Sequence, residues 1–146
     1  MKMTTRNFGE IEFAEENIIH FEEGIPGFRT LKEYVLIGDN ESAFEYMQSV
    51  TDGNISFVLI NPYMFMKDYS INIKDTYVEA LGGGTAEKFS VYVTVTIVGD
   101  IENATVNLVA PILIQNETKK GMQVILENSK YTTKHSMMEL IKEGSC

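Results

Sequence analysis

The sequence has little of the chemistry from which most catalytic and metal sites are built. Its 146 residues include one cysteine, two histidines and no tryptophan. The cysteine is Cys146, the last residue, so the chain cannot form an internal disulfide, and its cysteine usage does not point to an oxidising compartment. His20 and His135 are distant in sequence and fit no metal-ligand spacing. No nucleophile motif is present, so we expect no enzyme activity, no cofactor and no metal.

Positive charge is also scarce. The chain has 12 Lys and Arg against 21 Asp and Glu, for a net charge of −9. Residues 1–53 hold 11 acids and 4 bases, whereas the remaining residues hold 10 acids and 8 bases. Because nucleic-acid phosphates require a basic surface, we expect no direct binding of nucleic acid. A basic partner fits this charge, although a solvated acidic face is the simpler interpretation.

Long hydrophobic runs are absent. No window approaches the roughly 18 apolar residues of a membrane helix, and Met1–Phe8 is polar where a secretory signal would be apolar. We therefore expect a cytoplasmic protein. The length fits one domain spanning residues 1–146, with residues 136–146 as a terminal helix or tail.

What the sequence does contain is short alternating segments. Phe89–Val98 is the clearest, because Phe89, Val91, Val93, Val95 and Ile97 fall on one face of a strand. Turn signals separate such segments, and Asp75–Leu81 has the apolar spacing of a short helix. These patterns predict an all-β fold, a small antiparallel β-barrel-like domain of about nine or ten short strands with one or two short helices.

Two turns have a specific chemical basis. In Gly24-Ile-Pro-Gly-Phe28, Pro26 presets the first central position of a type II turn, and Gly27 can take the positive φ required next. Asp52-Gly53-Asn54 is a strong hairpin signal. We expect both turns to join strands of the barrel.

The stretch Asn107–Asn116 is apolar and uncharged but is interrupted by Pro111. Proline has no N–H for a strand ladder, so the stretch should form two strands joined by a bend, or one strand broken at an edge or bulge. We expect Pro111–Gln115 to pair antiparallel with Met122–Leu126. We also expect some apolar surface and unpaired backbone near Pro111, where a partner could dock.

Several blocks in this order resemble the flagellar assembly factor FliW family. They are Phe8-Gly-Glu-Ile, Ile18-Ile-His-Phe-Glu-Glu-Gly-Ile-Pro-Gly-Phe28, Gln48-Ser49, Asn61-Pro62, Asn107-Leu-Val-Ala-Pro-Ile112, and Gln123-Val-Ile-Leu with Tyr131. The second block is the most specific, and together the blocks span about residues 8–135.

The resemblance implies a non-enzymatic β-barrel-like protein that needs no cofactor. Members of this family bind CsrA, an RNA-binding translational repressor, and stop it repressing flagellin mRNA. They also bind cytoplasmic flagellin, so that accumulated flagellin captures the factor, frees CsrA and stops flagellin synthesis. No nucleic acid, membrane or small-molecule substrate is implied.

Prolines next to apolar residues suggest where a partner could dock. The candidate partner-binding residues are Asn61, Pro62, Tyr63, Phe65, Asn107, Pro111, Ile112 and Asn116. Packing in the core is the competing role for each of them. Two other functions stay open from the residues alone: a small ligand-binding barrel or enzyme, and a flagellin chaperone without a CsrA role.

Overall fold

The computed structural model describes residues 1–38, 43–69, 71, 73–126 and 130–144. It confirms the predicted mainly β fold with two short helices, α1 (Asp75–Ala80) and α2 (Met137–Gly144). The strands are β1 (Lys2–Thr5), β2 (Gly9–Glu12), β3 (Ile19–His20), β4 (Glu33–Gly38), β5 (Phe44–Ser49), β6 (Ser56–Ile60), β7 (Phe89–Thr96), β8 (Thr105–Val106), β9 (Ile112–Gln115), β10 (Lys120–Gln123) and β11 (His135–Ser136). Four 3₁₀ helices are also present, at Glu15–Asn17, Pro62–Met64, Ala86–Lys88 and Ile101–Asn103.

Seven strands close into a barrel in the order β7-β6-β5-β4-β3-β10-β9 and back to β7. A closed ring with an odd number of strands cannot be antiparallel throughout. If strand directions alternate around such a ring, the last strand and the first run in the same direction. The one parallel pair is β3 with β10, where Lys120 lies opposite His20. The antiparallel expectation is therefore correct for every other pair of the barrel and wrong for this one. The hairpin of β1 and β2 forms a separate two-stranded sheet.

Strand β7 pairs with two different strands along one edge. Its first half, from Phe89 to Tyr92, pairs with β9, and its second half pairs with β8. Its other edge carries β6. The chain between β8 and β9 is the bend predicted around Pro111, and the Asn107 N–H still donates to the Thr94 carbonyl across it. β9 then forms a hairpin with β10, which confirms the predicted antiparallel pairing.

Apolar side chains fill the barrel interior. Every strand of the ring except β10 contributes, and the buried members are Ile19, Phe21, Ile25, Tyr34, Met47, Leu59, Ile112 and Ile114. β10 contributes Gly121, whose missing side chain makes room for the Phe21 ring: an added Cβ would lie 2.7 Å from Phe21 Cζ. The interior is a packed core, which disfavours a ligand enclosed within the barrel.

A second core lies against the other face of β7. Val93 and Val95 point into it, together with Val106 and Leu108 from the strand and bend beside them. The segment after Pro62 and helix α2 cover this face, through Phe65, Tyr69, Met137 and Leu140. The predicted apolar face of β7 is thus confirmed for Val91, Val93 and Val95, which pack outside the barrel, whereas Ile97 lies beyond the strand and is exposed.

The two predicted turns form as expected. The Phe28 N–H donates to the Ile25 carbonyl at 2.7 Å, and Gly27 has a φ of 89°, as a type II turn requires. The Ile55 N–H donates to the Asp52 carbonyl in the β5–β6 hairpin. The first turn therefore follows β3 directly and lies next to the parallel seam of the barrel.

Replacing Gly121 with alanine should destabilise the barrel. The new Cβ meets the Phe21 ring inside a packed core, where overpacking costs roughly 1–3 kcal/mol. Gly38→Ala is the matched control, because nothing lies within 4 Å of its added Cβ. Urea unfolding of both variants measures the difference. Equal free energies of unfolding would contradict this account of the seam.

We predict that the buried hydroxyl of Tyr34 makes the protein less stable at high pH. This hydroxyl is buried without a hydrogen-bond partner among the described residues, and burial raises the pKa of Tyr34 to about 12. Tyrosine in the unfolded chain has a pKa near 10, so above that pH the unfolded state loses its proton first and stability falls. Tyr34→Phe should reduce the fall in urea midpoint between pH 9 and about pH 11. If the urea midpoint of Tyr34→Phe fell with pH as steeply as that of the unmodified protein, Tyr34 would not contribute to the loss of stability.

Candidate partner-binding surfaces

The first group of predicted residues follows strand β6. The Asn61 side-chain oxygen accepts the Tyr63 N–H at 2.9 Å and so starts the 3₁₀ helix Pro62–Met64. Pro62 and Phe65 are buried, Phe65 within the outer core. Tyr63 is 38% exposed. Two of these four residues, Asn61 and Tyr63, therefore present side chains to solvent.

The second group shapes the bend. The Asn107 side-chain oxygen accepts the N–H groups of Val109 and Ala110, each at 3.2 Å. Pro111 is buried and its carbonyl accepts the Val124 N–H at 3.0 Å. Ile112 is completely buried in the barrel interior.

The expected apolar surface and unpaired backbone near Pro111 are therefore wrong. The physical reason is that the bend turns β9 into the barrel, and the chain after Gln123 pairs with the residues that precede β9. The Leu126 N–H donates to the Val109 carbonyl at 2.8 Å, next to the bond that Pro111 receives. Ile112 and Pro111 consequently have core positions in the free protein.

The structure brings most of the predicted residues together but not all of them. The Tyr69 hydroxyl donates to the Leu108 carbonyl at 2.6 Å, which ties the segment after Pro62 to the bend. Asn116 lies apart, after the far end of β9, where its amide donates to Ser90 Oγ at 2.9 Å. The eight residues therefore do not form one surface.

Two buried glutamines organise loops in a way that sequence reasoning missed. The Gln48 amide donates to the carbonyls of Ser49 and Ile55 and holds the β5–β6 hairpin. The Gln115 amide donates to the Gly83 carbonyl, while its oxygen accepts the Glu117 N–H. Their only sequence signal was a polar residue within an apolar segment, and this signal does not distinguish a loop anchor from a solvent-facing position.

An exposed apolar surface lies where β7 ends. Ile97, Val98 and Ile101 are 41%, 73% and 44% exposed, and Asp100 and Glu102 are exposed beside them. We call these five residues the turn patch. Helix α2 packs against the 3₁₀ helix that carries Ile101, and its Ile141 is a further exposed apolar residue. The sequence pattern extended the strand to Val98, whereas β7 ends at Thr96 and leaves the patch outside the sheet.

Aromatic rings line the segment after β6. The Tyr63 ring is tilted against the Tyr69 ring, with the centroids 5.8 Å apart, and the Tyr69 ring lies 5.1 Å from that of Tyr131. Burial raises the pKa of Tyr63, and the neighbouring Tyr131 raises it further by a smaller amount. Burial raises the pKa of Tyr69 more strongly. The hydroxyls of Tyr63 and Tyr69 are therefore neutral near pH 7, and their rings offer apolar faces with polar edges. Next to them, Met64 is 63% exposed.

The described residues hold no group of three His, Cys, Asp or Glu side chains placed to bind a metal ion. Among the same residues, no helix has the length and apolar content needed to cross a membrane. The exposed apolar residues therefore lie on the outer surface of a packed barrel, at the end of β7 and in the segment after β6.

Comparison with known proteins identifies the family. The family model described as "FliW protein" matches residues 2–137, and the chain belongs to the FliW family, a family of assembly factors rather than enzymes. The flagellar assembly factor FliW of Clostridium novyi is 43% identical, with 99% of each chain covered. That of Caldanaerobacter subterraneus subsp. tengcongensis is 41% identical over 99% of this chain and 97% of its own.

A crystal structure of the flagellar assembly factor FliW superimposes with a TM-score of 0.88 at 38% sequence identity. The match covers 93% of this chain and 96% of that one. The barrel and its attached elements are therefore those of the family.

Asn107→Ala should destabilise the protein by about 1 kcal/mol, because two N–H groups of the bend lose their acceptor. Asn116→Ala is the matched control, since within the described part of the chain that exposed side chain bonds only to Ser90. Thermal unfolding of both variants gives the comparison. If Asn116→Ala were the more damaging change, the bend would not depend on the Asn107 side chain.

Proposed function

We propose that this protein regulates flagellin synthesis by binding two proteins, a CsrA-type translational repressor and cytoplasmic flagellin. Bound to CsrA, it relieves repression of flagellin mRNA. When flagellin accumulates, flagellin captures it, CsrA is released and synthesis stops. Membership in the FliW family is the observation that carries this proposal.

The charge of the molecule supports a CsrA-type partner. A protein that holds RNA needs a basic surface, and this chain has a net charge of −9. Opposite charges accelerate the encounter of two proteins, and the same acidic field repels RNA phosphates from the complex. The protein would thus act on the repressor without itself contacting RNA.

The turn patch is the surface best suited to CsrA. Val98 gives an exposed apolar centre, and Asp100 and Glu102 give an acidic rim. Protein interfaces commonly combine an apolar core with a polar rim that excludes water. A basic protein with an apolar contact area would meet both features at once.

A second surface suits flagellin. Asn61 and Tyr63, the exposed members of the first predicted group, lie beside the strongly exposed Met64. Methionine adapts to an irregular apolar surface because its side chain is flexible and polarisable, and tyrosine supplies a large contact area at low entropic cost. We assign this surface, which we call the methionine surface, to flagellin.

Size-exclusion chromatography of the purified protein with CsrA or flagellin of the same organism tests the function. We expect a complex with each partner. In a separate measurement of the association rate, binding to CsrA should slow as salt is added, because screening shortens the reach of surface charge to roughly 8 Å at physiological ionic strength. Absence of both complexes at micromolar concentrations would overturn the proposal. A complex with flagellin alone would favour a chaperone without a CsrA role.

Val98→Asn and Met64→Asn test the two surfaces as a matched pair, since each replaces a highly exposed apolar side chain. Val98→Asn should weaken CsrA binding by at least about tenfold and leave flagellin binding unchanged, and Met64→Asn should do the reverse. Isothermal calorimetry measures both affinities. Unchanged binding in both variants would exclude these two surfaces as binding sites. The chromatography would still test the proposed function.

A further inference from the structure

An open groove lies at the parallel seam of the barrel, where β3 and β10 meet. Its volume is about 690 Å³, within the range of ligand sites in proteins. One wall is β10 and the chain beyond it, from Lys120 to Ile125, and the other is the turn that follows β3. Leu81, after helix α1, lines it as well. We call this the seam groove.

The seam groove exists because the two strands separate after one residue pair. Lys120 lies opposite His20, but the Phe21 N–H then donates to the Lys32 carbonyl and the Gly24 N–H to the Phe21 carbonyl. The chain after β3 therefore turns away from β10. Beyond Lys120, β10 and the chain after it, as far as Leu126, stay paired on the β9 side and have no strand neighbour on the other side within the described residues.

This separation leaves an open strand edge. The N–H groups of Val124 and Leu126 donate to the carbonyls of Pro111 and Val109, on the β9 side. The backbone N–H and C=O groups of successive residues in a strand point to alternate sides. The N–H and C=O groups of Gln123 and Ile125 therefore point away from β9, into the groove. Within the described residues, neither of these two has a backbone partner on that side.

The charge of the seam groove is opposite to that of the molecule. The groove is lined by three cationic residues, Arg29, Lys32 and Lys120, and by two carboxylates, Glu22 and Glu23. The whole chain, in contrast, has 12 bases and 21 acids. The three cations have no ion-pair partner among the described residues. A negatively charged ligand is therefore attracted here and repelled over most of the remaining surface.

We propose that the seam groove binds an extended, acidic polypeptide segment of another protein, which adds as a strand to the free edge of β10. Main-chain hydrogen bonds to Gln123 and Ile125 supply affinity, as in other cases of strand addition to an exposed sheet edge. Carboxylates of the segment lie near Lys32 and Lys120. The half-exposed Ile125 side chain, at 57%, packs against an apolar residue of the segment.

The groove favours an extended segment over a helix. A helix satisfies its own backbone groups and cannot bond to a strand edge, so it would leave the Gln123 and Ile125 groups without partners. An extended chain presents its side chains alternately, which matches a groove with an apolar residue and cations on its walls. The site is separate from the turn patch and the methionine surface and does not depend on the proposed function.

A designed peptide pair tests the proposal. The probe is acetyl-Thr-Val-Glu-Val-Glu-Thr-amide, and the control replaces both glutamates with lysine. In NMR titrations of the full chain, the acidic probe should bind at least about tenfold more tightly than the lysine control. The amides of Gln123 and Ile125 should exchange rapidly in the free protein and slow on addition of the probe. Equal affinity for the two peptides, or no protection of these amides, would overturn the proposal.

Variants separate the backbone contribution from that of charge. Ile125→Pro removes a groove-facing N–H, whereas the control Ile125→Ala keeps it, so the proline variant should bind the acidic probe more weakly than the alanine variant. The double variant K32E/K120E should prefer the lysine peptide, and it remains informative if the proline variant fails to fold. An unchanged preference for the acidic peptide in the double variant would exclude charge as the basis of selection. The peptide titrations contain neither CsrA nor flagellin, so failure of this proposal is distinguishable from failure of the proposed function.

Discussion

The division of one edge of β7 between β8 and β9 is the constraint on which the structure depends. It requires the chain to leave β7, pass around Pro111 and return to it, and the Asn107 side chain stabilises this path. The first half of β7 then closes the barrel and the second half extends the sheet beyond it. Because the two faces of β7 contribute to two cores, the barrel and the covering segments stabilise each other.

The odd number of strands has a direct consequence for the surface of the barrel. A seven-stranded ring needs one parallel pair, and a parallel pair cannot be joined by a tight hairpin. β3 and β10 are therefore brought together from distant parts of the chain and share only one residue pair. Phe21 and Gly121 stabilise this seam from inside, and on the outside the strands separate into a groove. The least paired seam of the barrel is thus also the place with an accessible strand edge.

Local sequence patterns predicted much of the fold, because alternation, turn residues and the position of proline act over a few residues. The type II turn at Gly24–Phe28, helix α1 and the bend at Pro111 are examples. Strand β1 and the parallel seam were not predicted, since Lys2–Thr5 is polar and the seam depends on the closure of the whole ring. Likewise, burial of Ile112 depends on which face of β9 enters the barrel, and apolar composition alone does not determine that.

The same limit explains why the predicted residues did not form one surface. Residues such as Asn61 and Asn107 stand out in sequence because they accept backbone N–H groups in tight bends, which is a structural task. The proposed contact residues Val98 and Ile125 belong to apolar segments that look like ordinary strands, and only the ends of β7 and β10 reveal their exposure. In a small barrel whose interior is filled, an enclosed ligand is disfavoured, and the outer surface is left for recognition. On the proposed assignments, an acidic molecule with a cationic groove in its described part binds partners of opposite charge at separate places.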